Sequence, residues 1–188
     1  LTFGDKSWGS FKVGKDMGIF ASTAGMNDMT LLGVGATGGT VGDGVNRSSS
    51  GTDTTMGGIG TGYLYADWKG QIAYTTPNMN GFLATVGITQ PWNAEGDGVT
   101  SAASTGSHDN FGYEGQASYS WTGDFSGKAW VGAFYQGVTG LTAAKLDEDA
   151  QAFEAGITTT IKNIALTAYA YSGEGIGTTL QLVRGFDA

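Results

Sequence analysis

Cysteine is absent from the 188 residues, proline occurs twice and histidine once. Without thiols there is no disulfide framework, no thiolate metal site and no cysteine nucleophile, and the redox compartment stays open. The single histidine, His108, gives little support to a zinc cluster or a Ser-His-Asp arrangement and is read as a loop residue. Basic residues are scarce, nine Lys and Arg against 17 Asp and Glu, for a net charge of −8. Spread so thinly, they leave no nucleic-acid footprint, whereas acidic surfaces or cation-attracting cavities fit the balance. No run approaches the roughly 18 to 20 apolar residues of a membrane helix. Leu1 to Gly9 lack the basic and apolar regions of a signal peptide, so the chain is expected to be mature or a fragment.

What the chain has in quantity is glycine, 34 residues, and aromatics, with five Trp, eight Tyr and nine Phe. Glycine this frequent argues against long helices. Between Tyr113 and Trp121 an extended strand places Tyr113, Ala117, Tyr119 and Trp121 on one side and Glu114, Gln116, Ser118 and Ser120 on the other. Similar stretches of about ten residues recur, as in a transmembrane β-barrel. A chain without membrane helices can enter a bilayer only as a closed barrel, which leaves no strand edge unsatisfied in lipid.

Strands are expected near 7–16, 68–76, 82–91, 110–122, 127–138, 150–162, 164–173 and 178–185. Short joints at 77–81, 122–127 and 162–163 alternate with long ones at 92–109, 139–149 and from 174 onward, the asymmetry of an outer-membrane barrel. Parity is clear for Phe82, Ala84, Val86 and Ile88, and for Phe153, Ala155, Ile157 and Ile161 opposite Glu154, Thr158 and Thr160. Over 127–138 it is ambiguous, with Trp130 and Phe134 on one side and Val131, Ala133 and Tyr135 on the other; contact with a neighbouring subunit could bury both. Residues 19–67, rich in Gly, Thr and Ser, form the largest irregular segment, read either as a linker or as a loop folded back into a cavity.

The order of these pieces resembles the general trimeric porins of Gram-negative bacteria. Trp8-Gly9-Ser10-Phe11-Lys12-Val13-Gly14-Lys15 is similar to that family's strand of form Gly-x-apolar-x-apolar-Gly-Arg, which leads into the constriction loop. Tyr74-Thr75-Thr76-Pro77-Asn78-Met79-Asn80-Gly81-Phe82 looks like its Tyr-x-Ser-Pro-x-x-x-Gly-Phe hairpin, and the stretch from Ala168 to Thr179 like a late strand and loop. The chain departs in carrying Lys15 for Arg, in having Asp67 where a basic residue starts the strand after the loop, with Lys69 nearest, and in ending at Ala188 without a terminal aromatic. The family's barrel has about 16 strands, and about eight fit here. The resemblance therefore implies an all-β transmembrane antiparallel barrel, residues 1–188 forming one porin domain incomplete at both ends, with 19–67 its inserted constriction loop.

The function so implied is an outer-membrane, homotrimeric, water-filled channel for passive diffusion of small hydrophilic solutes and ions, with cation preference suggested by the net charge. Its partners would be outer-membrane lipid and lipopolysaccharide. No cofactor, metal, catalytic residue or nucleic acid is expected. Loop carboxylates Asp28, Asp43 and Asp53 facing wall residues Lys12, Lys15 and Lys69 would set a transverse field, with Glu114 and Gln116 also in the lumen. By parity with Phe11 and Val13, Lys12 points inward and Lys15 does not. Trp8, Tyr74, Tyr113, Trp121, Trp130, Tyr169 and Tyr171 are candidates for interfacial aromatic girdles.

Other patterns carry less. Gly33-Val34-Gly35-Ala36-Thr37-Gly38 fits a dinucleotide fingerprint, but the glycines and serines after it cannot open the helix it requires. Asn46-Arg47-Ser48 fits an N-glycosylation acceptor, and Asp147-Glu148-Asp149 reads as a hydrated acid run more readily than as a cation bridge to lipopolysaccharide. The alternative class is a secreted soluble β-sandwich or adhesin-like binding protein, with a hydrolase third.

Overall fold

Period-two alternation governs the chain, and the backbone follows it. A computed structural model describes residues 1–27, 40–41, 45–46, 66, 68–91, 110–138 and 148–176. Its elements are β1 (Thr2–Asp5), β2 (Gly9–Met17), α1 (Ser22–Met26), β3 (Thr40–Val41), β4 (Val45–Asn46), β5 (Trp68–Thr75), β6 (Phe82–Thr89), β7 (Gly112–Trp121), β8 (Phe125–Val138), β9 (Glu148–Ile161) and β10 (Ile164–Glu174). Eight strands form one sheet in the order β1-β2-β5-β6-β7-β8-β9-β10, every pairing antiparallel, and β3 and β4 pair separately. The protein is thus all-β with almost no helix.

Seven of the expected strands reappear within a few residues, and the one expected at 178–185 lies outside the described residues. Two expectations need correction. Thr2–Asp5 is a strand, held by pairing such as Phe3 with Phe11 and by stacking of those rings at 5.9 Å. The segment 19–67 is not irregular throughout, since it contains α1 and the β3–β4 pair.

In a sequential antiparallel sheet, alternate connections share an end. β1–β2, β5–β6, β7–β8 and β9–β10 join by short turns at one end, while the connections through 18–67, 90–111 and 139–147 are long and share the other. The turn after Thr76 closes with Asn80 and Gly81 at positive φ, 54° and 98°, and the Gly81 N–H donates to Asn78 Oδ1 at 2.8 Å. A Cβ at Gly81 would also strike the Ser120 carbonyl, so glycine suits both the dihedral and the close approach.

Register fixes which residues share a face. One face carries Phe11, Val13, Ile72, Tyr74, Val86, Ile88, Tyr113, Tyr119, Val131, Tyr135, Phe153 and Ile157. The opposite face carries Lys69, Gln71, Thr89, Glu114, Gln116, Ser118, Gln136 and Glu154, with Ala73, Trp130, Phe134, Ala150 and Ala152 among them. Burial differs sharply between the two faces. Phe153 is 66% exposed, Val86 59% and Val131 57%, whereas Lys69 is 3%, Glu114 4% and Glu154 4% exposed.

The cover on the polar face is the chain's own. After β2 the backbone turns at Gly18 and lays Ile19, Phe20, Ala21 and α1 against it; Phe20 is fully buried and meets Phe134 with ring centroids 5.9 Å apart. This resolves the ambiguity of β8. Trp130 and Phe134 are buried within the chain itself, against Tyr169 and Phe20 respectively, while Val131 and Tyr135 on the other face are exposed.

Candidate functional site

The polar face acquires a centre because Glu114, the third residue of β7, reaches the segment that follows β2. Its Oε2 accepts the backbone N–H of Ile19 at 2.6 Å and of Phe20 at 2.9 Å, and its Oε1 accepts Lys69 Nζ in a buried ion pair. Three donors, one of them cationic, satisfy a carboxylate that burial would otherwise penalise. Lys69 also lies over the Phe134 ring, 5.6 Å from its centroid. In β2 and β5, Asp16 stands opposite Lys69 in register, and Gln71 Nε2 donates to the Met17 carbonyl at 2.8 Å.

A second layer adjoins the first. Gln116, two residues along β7, accepts the Thr23 hydroxyl at 2.7 Å and donates to Glu154 Oε1 at 3.0 Å. Tyr169 donates its hydroxyl to Glu154 Oε2 at 2.8 Å, and the Ala21 N–H is also directed at Glu154. The network ties β5, β7, β9 and β10 to the backbone of Ile19–Ala21 and the start of α1. It fixes in place a stretch whose helix has no side-chain N-cap and whose Ala21 sits at φ 66°. Among the described residues no group of three or more His, Cys, Asp and Glu could hold a metal ion. Its visible action is to hold a segment of backbone over a polar wall.

The structure brings some of the expected site residues together. Lys69, Glu114 and Gln116 lie in this network, and Lys12 is on the same face, paired with Asp16 at 2.5 Å. Lys15 is on the apolar face, opposite Gly70 and two residues from the end of β2. Asp28, Asp43 and Asp53 lie outside the described residues, as do His108, Asp147 and Gly33–Gly38. Of the aromatics assigned to a girdle, Tyr74, Tyr113 and Trp121 are on the apolar face; Trp8 is in the turn before β2, its ring 6.2 Å from Phe11.

Trp130, Tyr169 and Tyr171 are instead on the polar face, stacked in sequence with centroid separations of 6.3 and 5.9 Å. The physical reason is Gly156. It faces Trp130 in register, and a Cβ there would overlap the indole, so its absence lets the ring lie across β9 towards Tyr169. Glu154 and the Ile19–Phe20 backbone are the site components that sequence reasoning does not single out. Glu154 is signalled by its parity with Thr158 and Thr160, whereas nothing in the sequence marks which backbone amides a strand carboxylate will meet.

The fold class is therefore an antiparallel all-β sheet with an exposed apolar face and a polar face partly covered by its own chain. No family model, curated protein or solved structure matches the chain.

Proposed function

We propose that the protein is an outer-membrane porin, a water-filled β-barrel channel for passive diffusion of small hydrophilic solutes and ions. The observation that carries this reading is the inverted amphipathicity of the sheet, with large apolar side chains outward and Lys69, Gln71, Glu114 and Glu154 inward. An open apolar face this size is costly in water and suited to acyl chains. Strands of 8 to 14 residues from β5 to β10 match the roughly 9 to 11 needed to cross a bilayer at a tilt. Short turns at one end and long connections at the other add support.

In lipid, the edges at β1 and β10 need partners, so the sheet closes into a barrel with further strands, about 16 in all on the porin resemblance. The segment from Gly18, anchored through Ile19 and Phe20 to Glu114, then narrows the lumen. Solutes are selected by size and charge: the wall of Thr, Ser and Gln keeps a continuous water column, and fixed charges in a low-dielectric wall act over the narrowed path. The homotrimer, contact with lipopolysaccharide and a Gram-negative outer membrane belong to the same proposal, as does a field from Asp28, Asp43 and Asp53.

Planar-bilayer recording from the detergent-extracted protein tests it. Stepwise conductance, in groups of three for a trimer, is expected. Folded protein that stays in solution without detergent and gives no conductance would overturn the reading and favour a secreted β-sheet binding protein.

A further inference from the structure

The lysines of the polar face differ in what surrounds them. Lys12 is paired with Asp16, and Lys69 with Glu114. Lys128, three residues into β8 from the short-turn end, is half-buried on the same face and has no ion pair among the described residues. Its register neighbours are Ser120 on β7 and Thr158 on β9, and beyond Thr158 lies Thr167 on β10. The nearest carboxylate along β9 is Glu154, four residues from Thr158, which is roughly 13 Å of strand. Glu154 is moreover occupied by Gln116 and Tyr169. Thr167 donates to Thr158 Oγ1 at 3.1 Å, which leaves the Thr158 hydroxyl proton for another acceptor.

A cation flanked on both sides by hydroxyl donors, about 5 Å away across each strand gap, fits a ligand with several acceptor oxygens around one centre. That describes a phosphate group better than a planar carboxylate, and lysine serves phosphate as a point charge. We propose that Lys128, with Ser120 and Thr158, forms a phosphate-binding subsite near the short-turn mouth of the channel and is a specificity-determining residue for phosphate-bearing solutes. The inference rests on the porin reading for its place in a permeation path, whereas the site itself does not need that path.

Two measurements separate the two claims. In planar bilayers, inorganic phosphate added on the short-turn side should reduce the chloride-salt current of the wild-type channel. Lys128→Met should relieve that block at least several-fold and move the reversal potential towards cations, and Lys128→Arg should retain the block. A wild-type channel that phosphate does not affect, or equal block in Lys128→Met, overturns the subsite. If the wild type forms no channel, the porin reading falls and line broadening of the inorganic-phosphate 31P resonance by folded, detergent-solubilised protein decides the site. Broadening that Lys128→Met abolishes and Lys128→Arg keeps supports it; absence of broadening, or broadening equal in Lys128→Met, overturns it.

Discussion

At the scale of single residues, Glu114 is where buried charge and backbone order meet. Glu114→Gln keeps the shape but removes the charge paired with Lys69 and weakens the acceptor of the Ile19 and Phe20 amides, an expected loss of about 1–3 kcal/mol. The amides of Ile19 and Phe20 should lose protection by hydrogen exchange. Unchanged protection in Glu114→Gln would show that Phe20 packing alone holds the segment. Gly156→Ala places a methyl group inside the Trp130 indole, so the ring must move off Tyr169, at an expected loss of about 1–3 kcal/mol read from the midpoint of denaturant unfolding. The wall half of the site was legible in the sequence, because alternation alone sets Glu114 and Gln116 opposite Tyr113. The rest was not. Trp130, Tyr169 and Tyr171 look like girdle aromatics in a linear reading, and only the cross-strand meeting of Trp130 with Gly156 shows why they stack on the polar face.

At the scale of elements, β8 and β9 carry the distinction between a membrane sheet and a soluble one. Val131 lies on the apolar face of β8, beside Ala117 and Ala155 in register. Val131→Arg should cost roughly 2–4 kcal/mol when the protein is refolded into vesicles, the penalty for a cation near the bilayer midplane. In a soluble sheet the same change at a 57% exposed position would be nearly neutral. The β9–β10 turn makes a smaller claim. Lys162 sits at φ 55°, and Lys162→Asn should stabilise by about 0.5–1 kcal/mol in the same unfolding assay, because asparagine tolerates the left-handed region better. The long strands were readable from period-two patterning over eight or more residues. β1 was not, since Thr2–Asp5 is too short to show a period and owes its conformation to pairing with β2. Nor was α1. Ser-Thr-Ala-Gly-Met has little helical preference, and tertiary contacts through Thr23 and Ala24 hold it.

At the scale of the whole molecule, the proposed channel depends on which face meets lipid. The apolar face is continuous from Phe11 on β2 to Ile157 on β9, and Gly18 to Asn27 cover the part of the polar face around Glu114, Glu154 and Phe134. In water the apolar face would need a cover, whereas in a bilayer acyl chains supply one. The absence of cysteine from these 188 residues helps the test, because an engineered thiol has no native competitor within them. Environment-sensitive fluorophores attached at Val131→Cys, Phe153→Cys and Ile157→Cys, and for comparison at Lys128→Cys and Thr158→Cys, report each face after insertion into vesicles. The first three should emit as in hydrocarbon and be quenched by lipids brominated on their acyl chains, while the last two should remain water-like and unquenched. Equal emission from both groups, or quenching confined to Lys128→Cys and Thr158→Cys, would contradict the assignment of faces and the channel built on it.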